Sequence, residues 1–279
     1  MQRKLSIIIL FLVSSFISVS QTPKSDFSHI EVIIDSVDFQ NMIKNNFIKD
    51  SLGSCSYDTL QKSPLVISYY INGLENFIHF NPNKGHFASQ RGTTYLIFQS
   101  RRPGQGKELE AQWKSVTDDS LKSYNFKGPD FLLTEIVLKK HWDISGSKIN
   151  HLIPMLSSYS VATYKKWGLG DSSEVSMKDF LAGDSSKLFS KILSIKLSIT
   201  NNELNSLASM LKGTGYEMAG SKFVKQGQPE ISFTINKREN EFKVKEIVLQ
   251  LNKPSDSRVL DFGNIIIDIA KDKAKFVFN

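Results

Sequence analysis

Cysteine is nearly absent from this 279-residue chain, Cys55 being the only one. No intramolecular disulfide can form, so disulfide-stapled scaffolds and cysteine-based zinc motifs are excluded, and stability has to come from packing. No His neighbours Cys55 in sequence, which argues against a thiol nucleophile. Histidine is scarce as well, at five residues, and no two are spaced as a compact zinc motif requires. Lys and Arg outnumber Asp and Glu by only 35 to 28, and their clusters are pairs such as Arg101-Arg102, Lys139-Lys140 and Lys165-Lys166. That scatter predicts solvated surface and no nucleic-acid partner. Beyond the first twenty residues no apolar run approaches the roughly 20 residues that cross a bilayer, so no membrane insertion of the mature chain is expected.

Those first twenty residues stand apart. Arg3 and Lys4 precede the apolar run Ile7 to Val13, and Ser18-Val19-Ser20 supplies small residues at a cleavage point. The pattern is that of a secretory signal peptide over residues 1–20, which predicts export to a periplasmic or extracellular destination. No Cys lies near the cut, which argues against a lipoprotein. The segment Gly104-Gln105-Gly106-Lys107 lacks the spacing and the Ser or Thr of a phosphate loop, and reads as a turn entering a helix.

Beyond the leader, one pattern recurs along the chain. Residues 27–35, FSHIEVIID, alternate with period two and predict a strand; residues 36–48 carry the apolar stripe Val37, Phe39, Met42, Ile43 and Phe47 of a helix. Short strands are expected at 54–60, 65–71 and 76–81, with Asn72-Gly73 as a hairpin signal. This is a βαβββ unit. Its opening returns at 93–100, with a helix at 107–114 and strands at 131–139 and 152–159. It returns again at 192–200, followed by a helix at 201–213 and strands near 230–236, 243–251, 264–270 and 274–278. Recurrence of one supersecondary unit predicts an α+β fold of repeated βαβββ modules forming half-open, barrel-like mixed sheets. The domain organisation expected is a pair of modules over 21–160, a helical connector over 161–190, and a third module over 191–279.

The stretches H29-I-E-V-I-I-D35 and F77-I-H-F-N-P82 resemble the vicinal oxygen chelate superfamily of glyoxalases, bleomycin-resistance proteins and extradiol dioxygenases. Residues 69–80, 98–113 and 192–217 are similar to an uncharacterised exported glyoxalase-like bacterial family. The resemblance implies that two βαβββ modules pair into a half-open barrel, with divalent metal ligands, where present, projecting inward from first and fourth strands. His29 then sits at a first-strand ligand position, and His79 at a fourth-strand position where Glu is usual. The second unit departs from the pattern, offering Tyr95, Ile97 and Gln99 on its first strand and Ser157 and Ser158 on its last.

Alternation gives the orientation. With Ile30, Val32, Ile34, Ile78 and Phe80 toward the helices, His29, Glu31 and His79 face the barrel interior. Two imidazoles and a carboxylate are a donor set for Zn²⁺, Fe²⁺, Mn²⁺ or Ni²⁺. His86 and His141 fall in polar connections and are expected to be exposed. The leading expectation is a small-molecule-binding protein without catalysis, lined by His29, Glu31, His79, Tyr95 and Gln99, and holding either no metal or one divalent ion. The alternative is a metal-dependent lyase, isomerase or oxygenase using His29 and His79 as ligands and Glu31 to complete the shell. The third module leaves homodimerisation open.

Overall fold

A computed structural model describes residues 24–59, 66–83, 90–128, 130–141, 151–236 and 242–279. The leader assigned to 1–20, and His86, lie outside these residues. The alternating opening forms strand β1 (Ser25–Ile34), followed by helix α1 (Ser36–Lys44) and strands β2 (Ser54–Thr59), β3 (Val66–Asn72) and β4 (Phe77–Pro82). Helix α1 ends before the apolar stripe does. The Asn45 side chain accepts from the Ile48 amide, and the chain restarts as a single wide turn over Ile48–Leu52.

The second unit comprises β5 (Thr94–Ser100), α2 (Gly106–Lys114), β6 (Leu121–Lys127), β7 (Leu132–Leu138) and β8 (Leu152–Tyr159). Strand β6 does not show in the sequence pattern, because it is an edge strand with mostly exposed side chains and no buried face to impose alternation. Two short helices, α3 (Val161–Lys166) and α4 (Met177–Leu181), come next, each begun by a serine, Ser160 or Ser176, that accepts a backbone N–H of the first turn.

The third unit is β9 (Phe189–Ile199), α5 (Asn201–Gly213), β10 (Glu217–Ala219), β11 (Lys222–Val224) and β12 (Glu230–Ile235). Helix α5 starts on a reciprocal cap in which Thr200 and Glu203 bond each other's backbone amides. A long hairpin of β13 (Val244–Asp261) and β14 (Ile265–Phe278) completes the chain.

The fold is α+β, mostly sheet, in two mixed sheets ordered β2-β3-β4-β1-β5-β8-β7-β6 and β10-β11-β12-β9-β13-β14. Neither closes into a barrel. In all three units the first and last strands of the βαβββ motif pair in parallel: β1 with β4, β5 with β8, and β9 with β12. The first two units join through antiparallel β1 and β5, and β13 takes the corresponding place beside β9.

One continuous core collects the helix-facing residues of both sheets, including Ile30, Val32, Ile34, Ile78 and Phe80 from the first and Ile195, Leu197, Ile247 and Phe276 from the second. Phe80 stacks on Phe276 across the join. A smaller cluster, Ile97, Val137, Ile153 and Met155 with Tyr95 and Tyr124, lies on the opposite face of β5, β7 and β8.

The tip of the β13–β14 hairpin is latched to the start of α1. Asn264 Nδ2 donates to Asp35 Oδ2 at 2.9 Å and to Asp38 Oδ2 at 3.0 Å, and Arg91 pairs with Asp35 at 2.9 Å. Gly263 is required beside it: its φ is +89°, and a Cβ there would lie 2.7 Å from Asp38 Oδ1. Asp38 is only 5% exposed, so Asn264→Ala leaves a buried carboxylate short of donors. The expected loss is about 1–3 kcal/mol, read as a lower urea midpoint with unchanged slope. A change within a few tenths of a kcal/mol would show that water replaces the amide.

Candidate functional site

Strand β1 carries His29 and Glu31 on the face opposite the core. That orientation depends on an irregularity in its pairing with β5 between Phe27 and His29. Phe27 packs in the main core and His29 does not, although two residues apart on an unbroken strand they would share a face. Parallel pairing then sets Phe77 beside His29 and His79 beside Glu31, and β3 brings Tyr70 alongside His79.

The result is a three-residue cluster: one ligand atom each from His29, Glu31 and His79, all within 4.8 Å of one another, so the group can hold a metal ion. The two imidazoles are fixed by stacking, His29 on Phe77 at 4.1 Å and His79 on Tyr70 at 4.3 Å between ring centroids. Tyr70 is itself anchored by donating to Asp58 Oδ2 at 2.7 Å; its burial and this bond push the phenol up, so it stays neutral. Ser28 Oγ lies 3.0 Å from His29 Nδ1. Glu31 Oε1 accepts from Asn81 Nδ2 at 2.6 Å, and Asn81 Oδ1 accepts from Ser68 Oγ at 2.6 Å.

Two observations test the cluster against a divalent ion. His79 Nδ1 stands 3.4 Å from Glu31 Oε2. This is long for a charge-assisted hydrogen bond, and close to the roughly 3.3 Å edge of a tetrahedron whose metal bonds are about 2.0–2.1 Å. On its other side, His79 Nε2 is buried with no hydrogen-bond partner among the described residues. Burial, with His79 adding, holds His29 well below the usual imidazole range, so it is a neutral donor near pH 7. The Nδ1–Oε2 spacing and the neutral His29 fit the ion; with Nδ1 as the ligand atom the proton of His79 lies on Nε2, whose lack of a described acceptor does not add to the fit.

The other residues named from sequence have different neighbours. Tyr95 is opposite Glu31 across the β1–β5 pair and packs on the small apolar cluster. Gln99 sits farther along β5, where its Nε2 donates to the Tyr164 hydroxyl of α3 at 3.2 Å. His141 is not exposed, as its polar surroundings in sequence imply, but 7% accessible, and burial lowers its imidazole to about 4. Its side chain is buried although Lys139 and Lys140 beside it are exposed, which a polar local sequence does not reveal. His151 is buried as well.

Sequence reasoning missed Ser68, Tyr70, Asn81 and Glu135. Asn81 was recoverable, lying two residues beyond His79 on the same face of β4. Glu135 sits on β7 opposite Tyr124 and Ser157, among strand residues that read as apolar. Burial and the charge of Glu31 push its carboxyl up to about 7, and no described cation pairs with it. A folded-state value raised above the unfolded one, about 4.3, favours the protonated fold; this stabilisation is complete below about pH 4.3 and disappears as pH rises through 7. In metal-free protein, Glu135→Gln is expected to raise stability by about 1 kcal/mol at pH 5 and by about 3–4 kcal/mol at pH 8. Equal melting shifts at both pH values would contradict this.

No protein-family model matches the chain, and no curated protein matches it.

Proposed function

We propose that the chain is an exported protein of the vicinal oxygen chelate type that binds a small oxygenated molecule on the face of its eight-stranded sheet opposite the main core, next to a divalent ion held by His29, Glu31 and His79. The observation that carries the reading is the convergence of these three side chains within 4.8 Å on strands whose other face is core. The paired βαβββ units, joined through antiparallel first strands, support the superfamily resemblance. Zn²⁺, Fe²⁺, Mn²⁺ or Ni²⁺ suits two imidazoles and a carboxylate, and such an ion when bound supplies Lewis-acid polarisation of ligand oxygens.

The chain's own residues supply the rest. Phe77 and Tyr70 hold the imidazole planes, Asn81 occupies one oxygen of Glu31, and the apolar cluster of β5, β7 and β8 fills the neighbouring half of the face. In the proposed arrangement the ligand lies on the side of β1, β3 and β4. A second reading, a metal-dependent lyase, isomerase or oxygenase, uses the same three side chains, with the ion polarising substrate oxygens. Metal analysis of the purified protein, followed by chelation and titration with each of the four ions, tests the proposal. Stoichiometric binding lost in His29→Ala supports it; no binding of any of the four ends it.

A further inference from the structure

We infer that Asn81 is a positioning residue that keeps Glu31 a one-oxygen ligand, a role that rests on the metal-binding reading of the site. A carboxylate facing an ion can bind through one oxygen or both, and the choice decides how many coordination positions remain for a ligand. Here the choice is made by the protein. The Asn81 carboxamide donates to Glu31 Oε1 at 2.6 Å, short enough to be a strong charge-assisted bond, while Oε2 is the oxygen that faces His79 Nδ1 at 3.4 Å.

Asn81 cannot turn away. It and Ser68 are each 2% exposed, and the Ser68 hydroxyl donates to its carbonyl at 2.6 Å. Flipping the amide would set its NH₂ against Ser68 Oγ and its carbonyl oxygen against the carboxylate, exchanging an attraction for a repulsion. Strand pairing reinforces the arrangement, since Glu31 is paired with His79 and Asn81 with Ile33 in the parallel β1–β4 register. The chain Ser68–Asn81–Glu31 thus orients the liganding carboxylate through one buried and one part-buried hydrogen bond, an outer arrangement whose loss ordinarily weakens metal affinity about 10–100-fold.

The experiment uses Co²⁺ alone as the probe on the wild-type chain, Asn81→Ala and Ser68→Ala, reading both affinity and the visible absorption spectrum of the saturated protein. Wild type is expected to bind one Co²⁺. Asn81→Ala should bind about 10–100-fold more weakly, with band positions and intensities altered because the freed carboxylate engages the ion differently. Ser68→Ala, which keeps the amide but removes its anchor, should fall between the two, and it carries the test by itself if Asn81→Ala does not fold. A structural role would lower the melting temperature without changing the spectrum at saturation. Unchanged affinity and an unchanged spectrum in the folded variants overturn the inference while leaving the metal site standing. Absence of Co²⁺ binding to wild type removes the metal site, and this inference with it.

Discussion

Zn²⁺ added to the metal-free chain is expected to raise its melting temperature by about 5–11 °C at a free concentration a hundred times the dissociation constant, and His79→Ala is expected to abolish the response. Ligand linkage at that concentration contributes about 2.7 kcal/mol, and a chain of this size shifts by roughly 2–4 °C per kcal/mol. His79 is the ligand of choice for the test because its removal is clean. It is 9% exposed, its Nε2 has no described partner and its Nδ1 faces Glu31, so truncation strands no hydrogen bond, and the stack it removes from Tyr70 leaves that phenol still anchored on Asp58. A variant that still gains the full shift places the ion elsewhere. A wild type that gains nothing from Zn²⁺, and nothing from Fe²⁺, Mn²⁺ or Ni²⁺ in the same assay, ends the metal-binding reading.

Trp113→Ala should cost about 3–5 kcal/mol and lower the melting temperature by roughly 6–20 °C. Trp113 is the largest of the fully buried side chains among the described residues, at 0% exposure, and lies on α2 where that helix meets α5 of the third unit. Its indole N–H donates to Ser209 Oγ at 3.1 Å, and the neighbouring Gln112 side chain donates to the Gly213 carbonyl at the end of α5. Truncation therefore opens a cavity and removes a tie between the units that form the two sheets. Urea unfolding measures the effect. A loss below about 1 kcal/mol would mean that the core shared by the two sheets collapses readily around the gap.

Residues with a purely local signature were legible in advance. The alternation of Ile30, Val32 and Ile34 with His29 and Glu31, and of Ile78 and Phe80 with His79, assigned all three candidate ligands to the correct face, because side-chain direction in a strand has period two whatever its partner. The turn at Gly104 that enters a helix, with Gly104 at φ +76°, was equally local. Legibility failed where burial is imposed from a distance. Strand β6 has no buried face of its own, β10 and β11 are three residues each, and His141 is buried by neighbours remote in sequence.

By itself the sequence determined the α+β repeat and the placement of His29, Glu31 and His79 opposite the core-facing residues that alternate with them, since propensity, capping and alternation act within a few residues. Only the tertiary structure decided that these three meet. Their convergence requires β1 to pair in parallel with β4 in the register that sets Glu31 beside His79, and an irregularity at Ser28 to turn His29 away from the core face that holds Phe27. Asn81 and Glu135 acquire their roles in the same way. Hydrogen bonds and charge act through space, and the strands that bring such groups together are chosen by the packing of the whole sheet.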